Sequence, residues 1–475
     1  MANKKSQRLS FRQVIIIGAG LAGLDMGCEL KRKLDFHDFV IFDRNPALGG
    51  TWYDNNYPGC AVDIPGFIYQ LSFAPEKSFS RIFPDRNEML SYMKRVAEEY
   101  NINQHLQPNM EWVSSTWLDG RKCWSIELRS TKTGEVSIQE SRVLIGAIGH
   151  QVDPKPFNVP GKSCFQGEIF HACKWPEGLD LKDKNVIVLG NGSTAVQVVP
   201  NILDDVRKCT QIQRAPQWIL NRPNPYVPEG FRRFLALVPF IFTCLQSITF
   251  AIVEAFYPIL GRGIPRMAKN NLKECKVPEQ YHSLLTPSHT PGLELVQDEI
   301  VAQSEKSCHG FQADTFYYPL KGRNGITPPE HWDIAGGPSC YKGCAMNGFP
   351  NFFSIRGPNV SSGHQSLIHF IESTTALILN VATPLIQGKA DVVEVESKAE
   401  QSYVRRVQAA CKRGFWGRDC HTFYVTENGW NHTIYPWSPY WLCLHRFPVK
   451  SHWIVEASQT KILKTMFKAE APGLC

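Results

Sequence analysis

Val14-Ile15-Ile16-Ile17-Gly18-Ala19-Gly20-Leu21-Ala22-Gly23 is the stretch on which the fold turns. Its continuous apolar run reads as a central parallel strand, buried on both faces. The glycines that follow at once have GxGxxG spacing. Gly18 permits a tight turn, Gly20 lets the backbone approach a pyrophosphate, and Gly23 lets the next helix pack close to the strand. That helix then presents its N-terminal N–H groups to the phosphates. A second strand, Phe39-Val40-Ile41-Phe42, ends at Asp43, about twenty residues on, where a carboxylate accepts from a ribose 2′-hydroxyl. The acid favours an unphosphorylated ribose, as in FAD or NAD.

The pattern recurs. Asn185-Val186-Ile187-Val188-Leu189 is another buried-strand run, and Gly190-Asn191-Gly192-Ser193-Thr194-Ala195 opens a second helix, with Ala195 in place of the third glycine. The next strand ends in Gln211-Ile212-Gln213-Arg214, so the position of the acid in the first site now offers a cation. A guanidinium suits bidentate contact with a 2′-phosphate, which points to NADPH rather than NADH.

The 475-residue chain is too long for one ordinary core and suits two or three packed domains. With 43% hydrophobic and 20% charged residues, neither disorder nor a fibrous repeat is a candidate. A net charge of +7 suits anionic cofactors, but without a clustered basic stripe nucleic acid is not an expected partner. The polar, basic stretch Met1 to Arg12 runs into the first strand with no apolar h-region, so export by a signal peptide is not expected. The 15 cysteines include no CxxC pair, and Cys340 and Cys344 lack a companion at metal-ligand spacing. They read as reduced thiols of a cytoplasmic protein without a metal site.

Between the two fingerprints, Phe165-Gln166-Gly167-Glu168-Ile169-Phe170-His171-Ala172-Cys173-Lys174-Trp175-Pro176 has the form FxGxxxHxxxWP. It resembles, position for position, the fingerprint of the Baeyer-Villiger monooxygenases, class B flavoprotein monooxygenases that include fungal FAD-binding enzymes. Leu48-Gly49-Gly50-Thr51-Trp52 is similar to the family's Gly-Gly-Thr-Trp, where a further glycine pair lets the chain run against an extended flavin; on that resemblance the first site takes FAD. Tyr57-Pro58-Gly59-Cys60-Ala61-Val62-Asp63 resembles the segment where flavin and nicotinamide meet, and Tyr69 matches a flavin-contacting tyrosine. Ile145 to Gly149 resembles the strand leaving the FAD fold, and Gly348 to Phe353 with Gly357-Pro358-Asn359 resembles its returning segment. The aromatic stretch from Val392 to Pro448 is similar to the family's C-terminal sheet and substrate-side lid.

The resemblance implies cofactor contacts at Gly18, Gly20, Gly23, Asp43, Thr51, Trp52, Tyr53, Asp54, Ala61, Val62, Asp63, Ile64 and Tyr69, and at Gly190, Asn191, Gly192, Ser193, Thr194, Ala195, Gln197, Arg214 and Ala215. It implies catalytic roles for Asp63, His171 and Trp175, the histidine as a conformational element rather than an acid or base. In the family NADPH reduces FAD, the reduced flavin takes up O₂, and a ketone becomes an ester or lactone. An apolar ketone such as a terpenoid, steroid or polyketide intermediate of secondary metabolism is the expected substrate, and a monomer the expected state.

The architecture expected is α/β, with two dinucleotide-binding (Rossmann-like) domains and a helical subdomain. The FAD domain takes residues 10–155 and 323–475, the inserted NADPH domain 156–225 and a shortened 288–322, and the helical subdomain 226–287. Four features depart from the family. Its catalytic arginine, held by the aspartate that Asp63 matches, normally follows a Leu-Thr-Pro, but Leu285-Thr286-Pro287 runs directly into Ser288-His289-Thr290-Pro291. Glu305 to Phe311 lacks the strand expected before it, Ala61 stands where many members carry a second arginine, and Ala215 replaces a threonine. Three readings follow: an enzyme using another cation, a faulty coding sequence, or a flavoprotein that binds FAD and NADPH without oxygenating a ketone. Residues 234–253 carry no charge, a length able to span a bilayer, yet Pro239, Gln246 and Ser247 weaken a spanning helix. The resemblance places this segment in the helical insertion of the NADPH domain, with peripheral membrane contact as the alternative.

Overall fold

The computed structural model describes residues 7–8, 11–150, 153–154, 157, 161–213, 223–271, 318–363, 365–413, 424–426 and 428–458. Its strands are β1 (Gln7–Arg8), β2 (Arg12–Ile17), β3 (Phe39–Asp43), β4 (Leu106–Pro108), β5 (Met110–Leu118), β6 (Cys123–Ser130), β7 (Val136–Gly146), β8 (Asn185–Leu189), β9 (Lys208–Ile212), β10 (Leu320–Lys321), β11 (Phe352–Ser354), β12 (Ala390–Val395) and β13 (Trp453–Ala457). Nine form one sheet, in the order β10-β5-β6-β7-β2-β3-β4 with β1 and β11 also on β7.

β7 joins two kinds of pairing. Its first half runs antiparallel to β6, from Val136 to Ser141, and closes a meander with β5. Its second half lies parallel to β2 and β11, with Ile145 opposite both Ile16 and Phe353. The parallel layer β11-β7-β2-β3-β4 is therefore built from both ends of the chain. Val14 to Ile17 of β2 are buried and can be uniformly apolar, while Arg12 at the start of the strand is exposed.

Helix α1 (Leu21–Leu34) follows β2, α2 (Thr51–Asp54) is a single turn, and α3 (Arg86–Glu99) packs beside α1. The helix Leu367–Ile386 lies against α1 on the same face. The other face is filled by Trp117, Trp124, Ile126 and Leu128 of the meander, with Leu320, Trp332 and Phe352 from the later half. Trp124 is fully buried there, and its indole N–H donates to the Pro350 carbonyl over 2.9 Å.

The second fingerprint forms a smaller unit: β8 and β9 pair in parallel, with α4 (Ser193–Ile202) between them in sequence. β8 is less covered than its apolar run predicts, with Ile187 54% exposed. Among the described residues β8 pairs with β9 alone, so its outer edge and one face have no partner there.

The uncharged segment 234–253 is divided between α5 (Glu229–Leu237) and α6 (Pro239–Asn271), which meet at a bend of 109° measured as far as Ala255. Pro239 at the start of α6 accounts for the break. No single described helix is long and apolar enough to cross a membrane. One side of the pair docks on the first domain: Gln246 Nε2 donates to Phe67 O over 2.9 Å, and Gln365 Nε2 to Glu254 over 3.3 Å.

Trp124→Phe keeps the buried ring but leaves the Pro350 carbonyl without its donor, which costs about 1–3 kcal/mol. Urea denaturation should show a lower midpoint at unchanged slope; an unchanged midpoint would mean that this bond does not help tie the later half to the meander.

Candidate functional site

Each glycine of the first fingerprint has a distinct physical reason. Gly18 has φ +110°, and a Cβ there would come within 2.4 Å of Ala147 O. A Cβ on Gly23 would come within 1.9 Å of Gly18 O, so α1 sits too close to the turn for any side chain. Gly20 is the N-cap of α1 and faces Gly50, where a Cβ with φ +52° would come within 2.8 Å of Gly20 Cα. The glycine pair Gly49-Gly50 is thus folded directly against the first glycine loop.

The starts of the two fingerprint helices differ from those of three helices that support the core. α1 and α4 both begin at a glycine, with no side-chain cap and no acidic residue in the first turn. By contrast α3 is capped by Asp85, the helix Pro328–Ala335 by a Thr327/Glu330 capping box, and Leu367–Ile386 by Ser366. An uncapped, acid-free helix start keeps its N–H donors and the positive end of its dipole for an anion. At the other end of α1, Lys31, Arg32 and Lys33 complement the dipole.

Asp43 lies at the end of β3 and is nearly fully buried. Its Oδ2 accepts from Ala19 N–H over 2.6 Å and its Oδ1 from Asn45 N–H over 2.7 Å. Burial pushes its carboxyl up while these two bonds pull it back. Each oxygen has a further lone pair, so both bonds are compatible with accepting from a ribose.

Beyond the glycine pair, Trp52 is buried and meets Tyr69 edge-on at 5.9 Å. Thr51 is exposed, while Tyr53, Asp54 and Ile64 are half-buried. Burial raises the Asp54 carboxyl, with Arg44 and Lys174 opposing it. Val62 is buried and donates its N–H to Pro84 O over 3.0 Å; Asp63, next in sequence, is exposed.

α4 is fastened to this same segment. Gln197 Nε2 donates to Ala61 O and its Oε1 accepts from Tyr57 O–H, both over 2.9 Å. A Cβ on Gly59 would come within 2.2 Å of Asn201 Nδ2 and 2.7 Å of Gln197 O, so glycine is what permits the approach. The stretch that runs on from the first site therefore bears on the helix of the second.

In the second site Gly190 has φ +102°, and its N–H donates to Ile212 O over 2.8 Å, as Gly18 N–H does to Phe42 O over 2.7 Å. Asn191 Nδ2 donates to Gln213 Oε1 over 2.9 Å. Added Cβ atoms on Gly190 and Gly192 meet nothing within 4 Å, so this loop is open where the first is packed. Ser193 and Thr194 form the first turn of α4 and Ala195 is buried at the third-glycine position. β9 ends at Ile212, and Arg214 and Ala215 lie outside the described residues, as do Leu285-Thr286-Pro287 and residues 288–317.

His171 caps the short turn Ala172–Lys174, its Nδ1 accepting from Cys173 N–H over 3.2 Å. Burial lowers its pKa, so it is neutral at neutral pH. Trp175 then packs on the cluster of Val198, Val199, Ile202 and Cys209 around α4, with Phe170 edge-on to it at 5.3 Å. The linker motif is a packing element of the second unit. Sequence reasoning overlooked Ala147, which sets the space at Gly18, and Arg356, which directly precedes Gly357-Pro358-Asn359.

Two glycine-headed dinucleotide folds in one chain define an oxidoreductase of the two-nucleotide class. The family described as pyridine nucleotide-disulphide oxidoreductase matches residues 15–228. A Baeyer-Villiger monooxygenase of Streptomyces coelicolor is 29% identical over 469 residues, 89% of this chain and 88% of that one. An FAD-binding monooxygenase of Botryotinia fuckeliana is 30% identical over 416 residues, 76% of this chain and 77% of that one. The chain belongs to the Baeyer-Villiger and FAD-binding monooxygenase family. In fold it matches cyclohexanone monooxygenase of Rhodococcus sp. Phi1 bound to NADP⁺, with a TM-score of 0.75 over 94% of this chain and 99% of that one at 19% identity. An oxidized steroid monooxygenase bound to NADP matches at TM-score 0.74 over 94% of this chain and 100% of that one, at 18% identity.

Gly23→Ala forces α1 away from Gly18 O. Overpacking of this kind costs about 1–3 kcal/mol. The variant should show a lower melting temperature and lose flavin uptake, read from the yellow absorbance of purified protein; flavin retained at the wild-type level would contradict this account of the loop.

Proposed function

We propose that this chain is an FAD-dependent, NADPH-using monooxygenase that inserts one atom of O₂ beside the carbonyl of an apolar ketone, giving an ester or lactone. The balance is ketone, O₂, NADPH and H⁺ to ester, water and NADP⁺. One observation carries the reading: Gln197 on the second fingerprint helix is bonded to Tyr57 and Ala61, in the stretch that continues from the glycine pair packed on the first fingerprint. Two nucleotide sites fastened together in this way suit a hydride passed between their ligands.

The first site fits FAD, because the cramped Gly18–Gly23 turn admits only backbone near the donor end of α1. The N–H groups of Leu21, Ala22 and Gly23 would face the pyrophosphate, Asp43 the ribose, and Trp52 and Tyr69 the flavin end. The second site fits a dinucleotide at the uncapped start of α4, with Arg214 facing a 2′-phosphate. When bound, NADPH supplies the hydride and FAD the oxygen-activating chemistry. The protein holds the two in contact, excludes water and stabilises negative charge as it develops. We assign Asp63, near Tyr69, to the charge arrangement of that site. His171 and Trp175 act by coupling the linker to α4, since a neutral capping histidine has no proton to spare. The FAD domain is read as 10–155 with 323–475 and the NADPH domain as 156–225 with 288–322, supported by the return of β11 beside β7. The alternative of a chain that binds both cofactors without oxygenating draws no support from its relatives.

Purified chain given NADPH, O₂ and a panel of cyclic and long-chain ketones should form one ester or lactone per NADPH consumed. NADPH oxidation that yields only H₂O₂ across the panel would overturn the oxygenase reading. Arg214→Ala should raise the KM for NADPH about tenfold or more, the loss of one charge-assisted bond, and leave that for NADH nearly unchanged. Equal losses for both would place Arg214 away from the phosphate.

A further inference from the structure

Arg356 lies two residues beyond the end of β11, at the carboxyl end of the parallel strands, where open α/β sheets bind their ligands. The backbone holds it there from both sides. Ile355 N–H donates to Gly146 O over 2.8 Å, and a Cβ on Gly357 would come within 2.6 Å of Gly343 O and Ser354 Oγ. Arg356 itself has φ +66°, a left-handed conformation that suits glycine and that side-chain-bearing residues rarely adopt. Strain of this kind persists where a functional group is needed.

Arg356 is half-buried, and the protein gives one edge of its guanidinium no partner. Its Nε is buried without a hydrogen-bond partner, and among the described residues it forms no ion pair. The titratable groups near it are Tyr69, Tyr318 and His150. Burial pushes both phenols up, so neither supplies an anion, and it holds His150 well below its ordinary value, so the imidazole is neutral. The His150 ring meets the Arg356 carbonyl, not the guanidinium, and His432 lies beyond it. Burial lowers Arg356 only to about 10, which leaves it charged at neutral pH. A half-buried cation with no ion pair among the described residues is suited to an anionic ligand.

We propose that Arg356 is a catalytic cation of the flavin site, the counter-charge to the ring when it is reduced and negatively charged. The assignment rests on the flavoprotein reading above. Tyr69 ties it to the ring rather than to the pyrophosphate, because Tyr69 packs on Trp52, beyond the glycine pair, and not on the Gly18–Gly23 turn. Residues 288–317 hold no arginine, and Arg356 supplies a guanidinium from the turn after β11.

The test uses the full chain reconstituted with FAD, as wild type, Arg356→Lys and Arg356→Met. Arg356→Gly, which the left-handed backbone accepts, serves if the Met variant does not fold. FAD dissociation constants and the midpoint potential of the bound flavin are measured by fluorescence and dye-coupled reduction. In Arg356→Met the two-electron reduction equilibrium should shift at least tenfold toward oxidised flavin, a fall of about 30 mV, with FAD affinity held within about threefold; Arg356→Lys should retain most of the wild-type potential. An unmoved potential overturns the proposal. A tenfold loss of FAD affinity at unmoved potential also overturns it, placing the guanidinium on the pyrophosphate. Wild-type chain that takes up no FAD contradicts the flavoprotein reading itself, and the proposal falls with it.

Discussion

The close approach of α1 to the turn at the end of β2 is the constraint on which the rest depends. Gly23 leaves no room for a Cβ against Gly18 O, and Gly18 leaves none against Ala147 O, so strand, turn, helix and the end of β7 are fixed within one contact. From there the Gly49-Gly50 pair is laid against Gly20, and the chain beyond it passes through Tyr57 to Ala61 onto Gln197 of α4. A tight turn in the first site thus sets, through short backbone contacts, where the second begins.

Helix capping divides the labour within the fold. Three helices that support the core carry Asp85, Thr327 or Ser366 at their starts and use their own side chains to satisfy the first N–H groups, whereas α5 starts uncapped at Pro228 with Glu229 in its first turn. The two fingerprint helices leave those donors to a ligand. The resulting instability of each helix start is offset elsewhere, for α1 by its basic last turn and by burial against the helix Leu367–Ile386.

Much of this was legible in the sequence, because local rules govern it. The apolar runs at Val14–Ile17 and Asn185–Leu189 form β2 and β8, and each GxG turn takes the positive φ that its glycine allows. What escaped the sequence is set by distant contacts. No local pattern says that the second half of β7 will be shared by β2 and β11, or that Ala147 will close over Gly18. Apolarity alone overstated the burial of β8, since it reports what a strand can tolerate and not what covers it. Arg356 escaped for a similar reason: an arginine before Gly-Pro-Asn reads as a surface residue until the turn shows it half-buried with its Nε unpartnered. The uncharged run at 234–253 reads as one segment, but Pro239 divides it into two helices.

On the proposed function the two nucleotide sites serve one hydride path, which anaerobic mixing of both cofactors on the chain tests. Chain loaded with FAD and mixed with NADPH without O₂ should lose its oxidised-flavin absorbance in a single exponential phase whose rate saturates with NADPH. Flavin that stays oxidised while both nucleotides are demonstrably bound would contradict it.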